Sequence, residues 1–253
     1  LQLKELDFDV NDVYNQFVGK NITSEKTIID AFDYHIARMQ KLVGIEVKQV
    51  SVEKYSQTLV HIKSFLKLKH KKSDYLLKDL KLKFLNDFEY YLKTENKFLP
   101  NTVYKTLQRV RRVIRVSVGA EYLDKDPFVL HRAKKPKKQI IYLDELELKN
   151  LENFKFSQIR LEQVKEMFVF CCYTGLAFQE MSSLKSENIV KGFDGNLWIQ
   201  MLRQKTDSKF SIPLLPKANE VLEKYTSFPA RQKIDIGFLL PRISNQKFNS
   251  YFK

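Results

Sequence analysis

The sequence predicts a mainly helical protein of two domains, with one small antiparallel β-sheet in the second. Three observations predict it. Only 7 Gly and 7 Pro occur in 253 residues rich in Leu, Lys, Glu and Phe, which favours helices over a large sheet. Apolar residues recur at helical spacing along most of the chain, and the period shortens to two only between residues 186 and 214. Between the two domains lies "HRAKKPKKQ", residues 131–139, with one proline, five Lys or Arg and almost nothing to bury. Such a run reads as an extended basic linker.

In the first half, a helix is expected over 27–43, where Ile28, Phe32, Ile36, Met39 and Val43 share a face and Gly44 supplies the stop. A second is expected over 52–68, with Tyr55, Leu59, Ile62 and Leu66 inward, broken by "HKKSD". A third is expected over 80–94, packed by Phe84, Phe88, Tyr91 and Leu92. The fourth, over 100–118, carries the most information. At about 100° per residue, Val103, Leu107, Val110, Ile114 and Val118 fall on one side. Lys105, Arg109, Arg111, Arg112 and Arg115 fall on the other, and no acid occurs between Pro100 and Gly119. A merely solvated face ordinarily mixes in Asp or Glu, so this one suits a helix lying along DNA. Asp126-Pro127 ends the unit.

In the second half, Asp144 is the expected N-cap of a helix over 144–154 carrying Leu146, Leu148 and Leu151, with further helices over 161–173 and 178–185. In "NLWIQMLRQK", Leu197, Ile199 and Met201 alternate with Trp198 and Leu202, as a strand requires. "TDSK" then reads as a turn and "FSIPLL" as the return strand. A helix over 216–226 follows, and "SNQKFNSYFK" begins another that runs to the last residue.

The charge narrows the function. Lys plus Arg number 44 against 30 Asp plus Glu, a net +14, which points to an anionic partner, nucleic acid ahead of membrane. No apolar run has transmembrane length, and no basic-then-apolar signal opens the chain. Cys171 and Cys172, neighbours in an apolar helix, read as buried thiols of a reducing cytosol. No Cys or His pair has metal-ligand spacing, so no metal site is expected.

Four stretches in order carry a resemblance: "YTGLAFQEMSSLKSENI", "LRQKT", "IPLLPKANEVLEKY" and "ISNQKFNSYFK". Together with the helical half, which matches in pattern only, they resemble the tyrosine recombinase (phage integrase) family, and within it the integrases of Bacteroides-type mobile elements. The resemblance implies a helical SAM-like core-binding domain over 21–130, a basic linker over 131–140, and the N-terminal part of a DNA breaking-rejoining catalytic domain over 141–253. Residues 1–20 would be the remnant of an upstream arm-type domain. The implied partner is double-stranded DNA, with self-association on it, in a bacterial cytoplasm at the nucleoid. The implied chemistry uses neither metal nor cofactor: a tyrosine attacks a phosphodiester to give a 3′-phosphotyrosine, arginines hold the non-bridging oxygens, and a hairpin lysine protonates the leaving oxygen. Preplaced cations lower the barrier because charge builds on phosphorus. Lys205 sits where that lysine belongs.

Two departures follow. Ala177 stands where the family's first arginine belongs, although Glu180 and Leu184 of the same motif are present. The later "HxxR" and the nucleophilic tyrosine have no counterpart, since no histidine follows His131 and Tyr225 and Tyr251 read as packing residues. The chain is therefore expected to stop partway through the catalytic domain and to be inactive in cleavage alone. Arg203, two residues before Lys205 and on the same strand face, is the candidate replacement for the missing arginine, against a plainer role in contacting the DNA backbone or pairing with Asp207. The DNA-binding candidates are Lys105, Arg109, Arg111, Arg112, Arg115, Lys134, Lys135, Lys137 and Lys138. A site-specific recombinase competes with a non-catalytic DNA-binding or regulatory protein on the same fold, and more distantly with a helical protein-interaction module.

Overall fold

The computed structural model describes residues 26–136, 140–204, 206–227 and 237–252. The chain divides into two compact units, residues 1–139 and 140–253. Residues 1–20, Lys137, Lys138 and Lys205 lie outside the described residues.

The first unit is helical. Helix α1 (Ile28–Lys41) starts at a reciprocal cap, in which the Thr27 hydroxyl accepts the Asp30 N–H and Asp30 accepts the Thr27 N–H. Helix α2 (Gln49–Phe65) begins three residues earlier than the apolar spacing suggests and runs into a wider turn over Leu66–His70, stopped by Lys71 in the left-handed region (φ 53°). Helix α3 (Leu82–Thr94) and helix α4 (Pro100–Gly119) complete the unit. Phe65 of α2 packs edge-on against Phe84 and Phe88 of α3, with ring centroids 5.4 and 5.2 Å away. Val103, Leu107, Val110, Val113 and Ile114 of α4 close the core. Each such burial stabilises by about 1.5–3 kcal/mol. Beyond α4, Asp126 accepts the Phe128 N–H at 2.8 Å and folds Phe128 into the same core.

The second unit opens with helix α5 (Glu145–Asn153), where Asp144 is the expected N-cap and Glu147 makes the cap reciprocal. None of its side chains is buried, and Leu146 is 67% exposed. Helix α6 (Ile159–Thr174) ends at Gly175, whose φ of 66° is the left-handed conformation a helix stop favours. Helix α7 (Phe178–Ser182) is shorter than the predicted 178–185, because the Ser182 and Ser183 hydroxyls donate to the Gln179 carbonyl and compete with the helical ladder. Three antiparallel strands follow in the order β1 (Ile189–Lys191), β2 (Leu197–Leu202), β3 (Lys209–Pro213). Ile199 sits mid-sheet, opposite Ile189 on one side and Ile212 on the other. Helix α8 (Pro216–Ser227) places Ala218, Val221, Leu222 and Tyr225 in the same core as Val164, Met167 and Phe170 of α6. Helix α9 (Asn245–Ser250) ends before the expected last residue, with Tyr251 just beyond it.

Two expectations are corrected here. Cys172 is exposed rather than buried, because α6 turns that position outward, and both cysteines are free. Burial pushes the Cys171 thiol up to about 12, so it carries no reactive thiolate. Strand β2 ends at Leu202, so Arg203 does not lie in a strand. It opens the turn instead: its N–H donates to the Ser208 carbonyl, and its carbonyl accepts from Asp207, which is itself in the left-handed region.

Candidate nucleic-acid interface

Helix α4 sorts its cations by depth. Lys105, Arg112 and Arg115 are exposed, while Arg109 and Arg111 sit half-buried on the two shoulders of the apolar stripe. The same helical period that places Val110 and Val113 in the core fixes this order. Among the described residues none of these five pairs with an acid. Burial holds the Arg109 guanidinium below its ordinary value, with Tyr55 acting in the opposite sense. The Arg111 Nε is buried and makes no hydrogen bond. The face is therefore a row of uncompensated positive charge on a rigid helix.

Sequence periodicity alone misses what lies beside it. His35 of α1 packs edge-on against Tyr55 of α2 at 4.7 Å, and its Nε2 makes no hydrogen bond. Burial first, then the charges of Arg112 and Arg38, hold its pKa below 6.5. Arg38 and Arg112, far apart in sequence, thus act on the same imidazole. The Arg38 guanidinium donates to the Tyr34 hydroxyl at 2.8 Å. The only sequence signal for it is the one-turn spacing of Tyr34 and Arg38.

The basic run starts on the first unit rather than in solvent. His131 is 8% exposed, and its Nε2 lies 3.4 Å from Glu89, which Lys93 also contacts. Arg132 and Lys134 line a cleft of about 500 Å³ together with Pro100 and Tyr104 of α4. Lys134 and Lys135 are exposed.

In the second unit, the turn after α6 and the β2–β3 hairpin enclose a cleft of about 390 Å³. Ala177 and Arg203 both line it, with Glu180, Phe210 and Ile212. The Arg203 guanidinium lies 5.8 Å from the Phe210 ring centroid. Position 177, where the resemblance calls for an arginine, and Arg203 thus line one cavity. Among the described residues no group of three His, Cys, Asp or Glu is placed to hold a metal, and no helix is long and apolar enough to cross a membrane.

Residues 27–140 match the phage integrase SAM-like domain. No curated protein sequence matches the chain. Among solved structures, the lambda integrase tetramer bound to a Holliday junction superposes with a TM-score of 0.68 at 16% identity, covering 93% of this chain and 67% of that one. A lambda integrase (75–356) dimer bound to a COC′ core site gives 0.67 at 17%, covering 90% and 79%. The Tn1549 transposon integrase (82–397) in complex with circular intermediate DNA gives 0.63 at 12%, covering 84% and 70%. The chain has the integrase fold: a SAM-like helical domain, then a mostly helical unit with a three-stranded antiparallel sheet.

Proposed function

We propose that the chain is the DNA-binding portion of a site-specific recombinase of a Bacteroides-type mobile element, binding duplex DNA through the α4 face and the basic run that follows it. The observation that carries this reading is the unpaired cationic row of Lys105, Arg109, Arg111, Arg112 and Arg115 on a helix whose other side is locked in a core. Each phosphate neutralised releases counterions, so affinity falls steeply with salt. The DNA-bound state of the lambda and Tn1549 integrases supports the same partner, and the dimer and tetramer of lambda integrase support self-association on DNA.

In the second unit, Arg203 is the group we assign to a backbone phosphate at the cleft beside Ala177, and Lys205 is the residue we assign as proton donor to a leaving oxygen. A second reading, a DNA-binding or regulatory protein without cleavage chemistry, is favoured by one feature: Ala177 offers only a methyl group where a phosphate-gripping side chain belongs.

A gel-shift titration of a mixed-sequence duplex against salt tests the first reading. Replacing Arg109, Arg112 and Arg115 together with Ala should weaken binding to every sequence and flatten the plot of log K against log salt by about 0.9 for each phosphate no longer neutralised. Unchanged affinity and slope in a folded triple variant would exclude this face.

A further inference from the structure

The cleft beside Ala177 contains a group that phosphate gripping leaves unused. Glu180 is 7% exposed, and its Oε2 makes no hydrogen bond. A buried carboxylate oxygen without a donor is costly, so this wall of the cleft favours a cation and repels a bare phosphate. Arg203 lines the same cleft, exposed, and rests on the Phe210 ring. Among the described residues it makes no ion pair with an acid.

We infer that Glu180 is a positioning residue for Arg203: it draws the guanidinium off Phe210 into the space over Ala177 and presents it there to a DNA phosphate. A guanidinium carries five N–H donors in a planar fork, so one edge can serve a carboxylate while another serves a phosphate oxygen. An ammonium, a point charge on a flexible stem, lacks this two-edged geometry. Ala177 belongs to the arrangement, because its small side chain leaves the cleft of about 390 Å³ open to a side chain arriving from the hairpin. The inference rests on the assignment of Arg203 to a phosphate.

The test is a salt titration of duplex binding by the whole chain, comparing the parent with Arg203→Ala, Glu180→Gln, their double variant and Ala177→Leu. Arg203→Ala should lower the salt slope by about one unit. Glu180→Gln should lower it equally, and the double variant no further. Ala177→Leu, which fills the space without touching either charge, should do the same. It decides the matter if Glu180→Gln does not fold. As a second readout, the Arg203 Nε–Hε resonance should move on addition of DNA in the parent and stay in place in Glu180→Gln. A parental slope in Glu180→Gln or Ala177→Leu, alongside a reduced slope in Arg203→Ala, overturns the positioning role and leaves the Arg203 assignment standing. A parental slope in Arg203→Ala overturns both.

Discussion

The Tyr225 hydroxyl donates to Glu166 Oε2 at 2.5 Å, inside a core where Tyr225 is 1% exposed. Burial first and this hydrogen bond second push the phenol far above its ordinary value. Lys224 holds the other oxygen of Glu166 at 3.0 Å. A phenol so placed ties α8 to α6 and has no route to a phosphodiester. The other late tyrosine, Tyr251, is half-buried, with Arg160 6.0 Å above its ring. Residues 1–253 should therefore form no covalent adduct with a nicked suicide duplex. An SDS-stable adduct mapped to Tyr225 or Tyr251 would contradict this. Tyr225→Phe should cost about 1–3 kcal/mol in denaturant unfolding, because it leaves the Glu166 carboxylate short of a donor.

The depth ordering on α4 makes single substitutions separable. Arg112→Ala and Arg115→Ala should each weaken DNA binding and lower the salt slope by about one unit, with stability changed by less than about 0.5 kcal/mol. Arg109→Ala should also cost stability, since Arg109 is half-buried and its removal gives up packing as well as charge. Equal destabilisation at all three positions would mean that the row is structural.

The pH dependence has a worked sign. The His35 pKa is held below 6.5, chiefly by burial and then by Arg112 and Arg38. His61 is lowered by burial alone. Between the folded value and 6.5 the unfolded chain binds more protons than the folded one, so stability rises with pH across that window. It is fully present above 6.5 and lost below. The melting temperature should fall between pH 7 and pH 5, and His35→Phe should flatten part of that fall while keeping the ring contact with Tyr55. Phosphates beside Arg112 and Arg38 would offset their charge, so bound DNA should make the melt less sensitive to acid in the parent. An identical pH profile in His35→Phe would remove His35 from this account.

How much of this was legible beforehand depends on the range of the interaction. The core of α4 follows from period, and the Asp144 N-cap from local hydrogen bonding, so both stand in the sequence. The end of β2 at Leu202 does not, because "LRQKT" continues a plausible alternation and only the closure between Arg203 and Ser208 cuts it short. Arg38 and the unsatisfied Glu180 were invisible for a similar reason. Their meaning comes from neighbours on other elements: Arg112 for the one, the β2–β3 hairpin for the other. The cleft that Ala177 and Arg203 both line is set by the turn that opens at Arg203, whereas the alternation in the sequence put Arg203 on a strand face.

Arginine placed at position 177 discriminates between two ways of filling that cleft. Ala177 is exposed at the start of α7, and its neighbour Glu180 offers an unpartnered carboxylate oxygen one helical turn on. An arginine there would share the cavity with the Arg203 side chain and the same acid. Ala177→Arg in the Arg203→Ala background should therefore restore the salt slope by about one unit. In the parent background the same substitution should add almost nothing, because two guanidinium groups in one small cleft repel each other and only one can reach Glu180. Duplex-binding titrations at several salt concentrations measure both. A gain of a full unit in the parent background would mean that the two positions act independently, and that Arg203 does not occupy the place of the missing arginine.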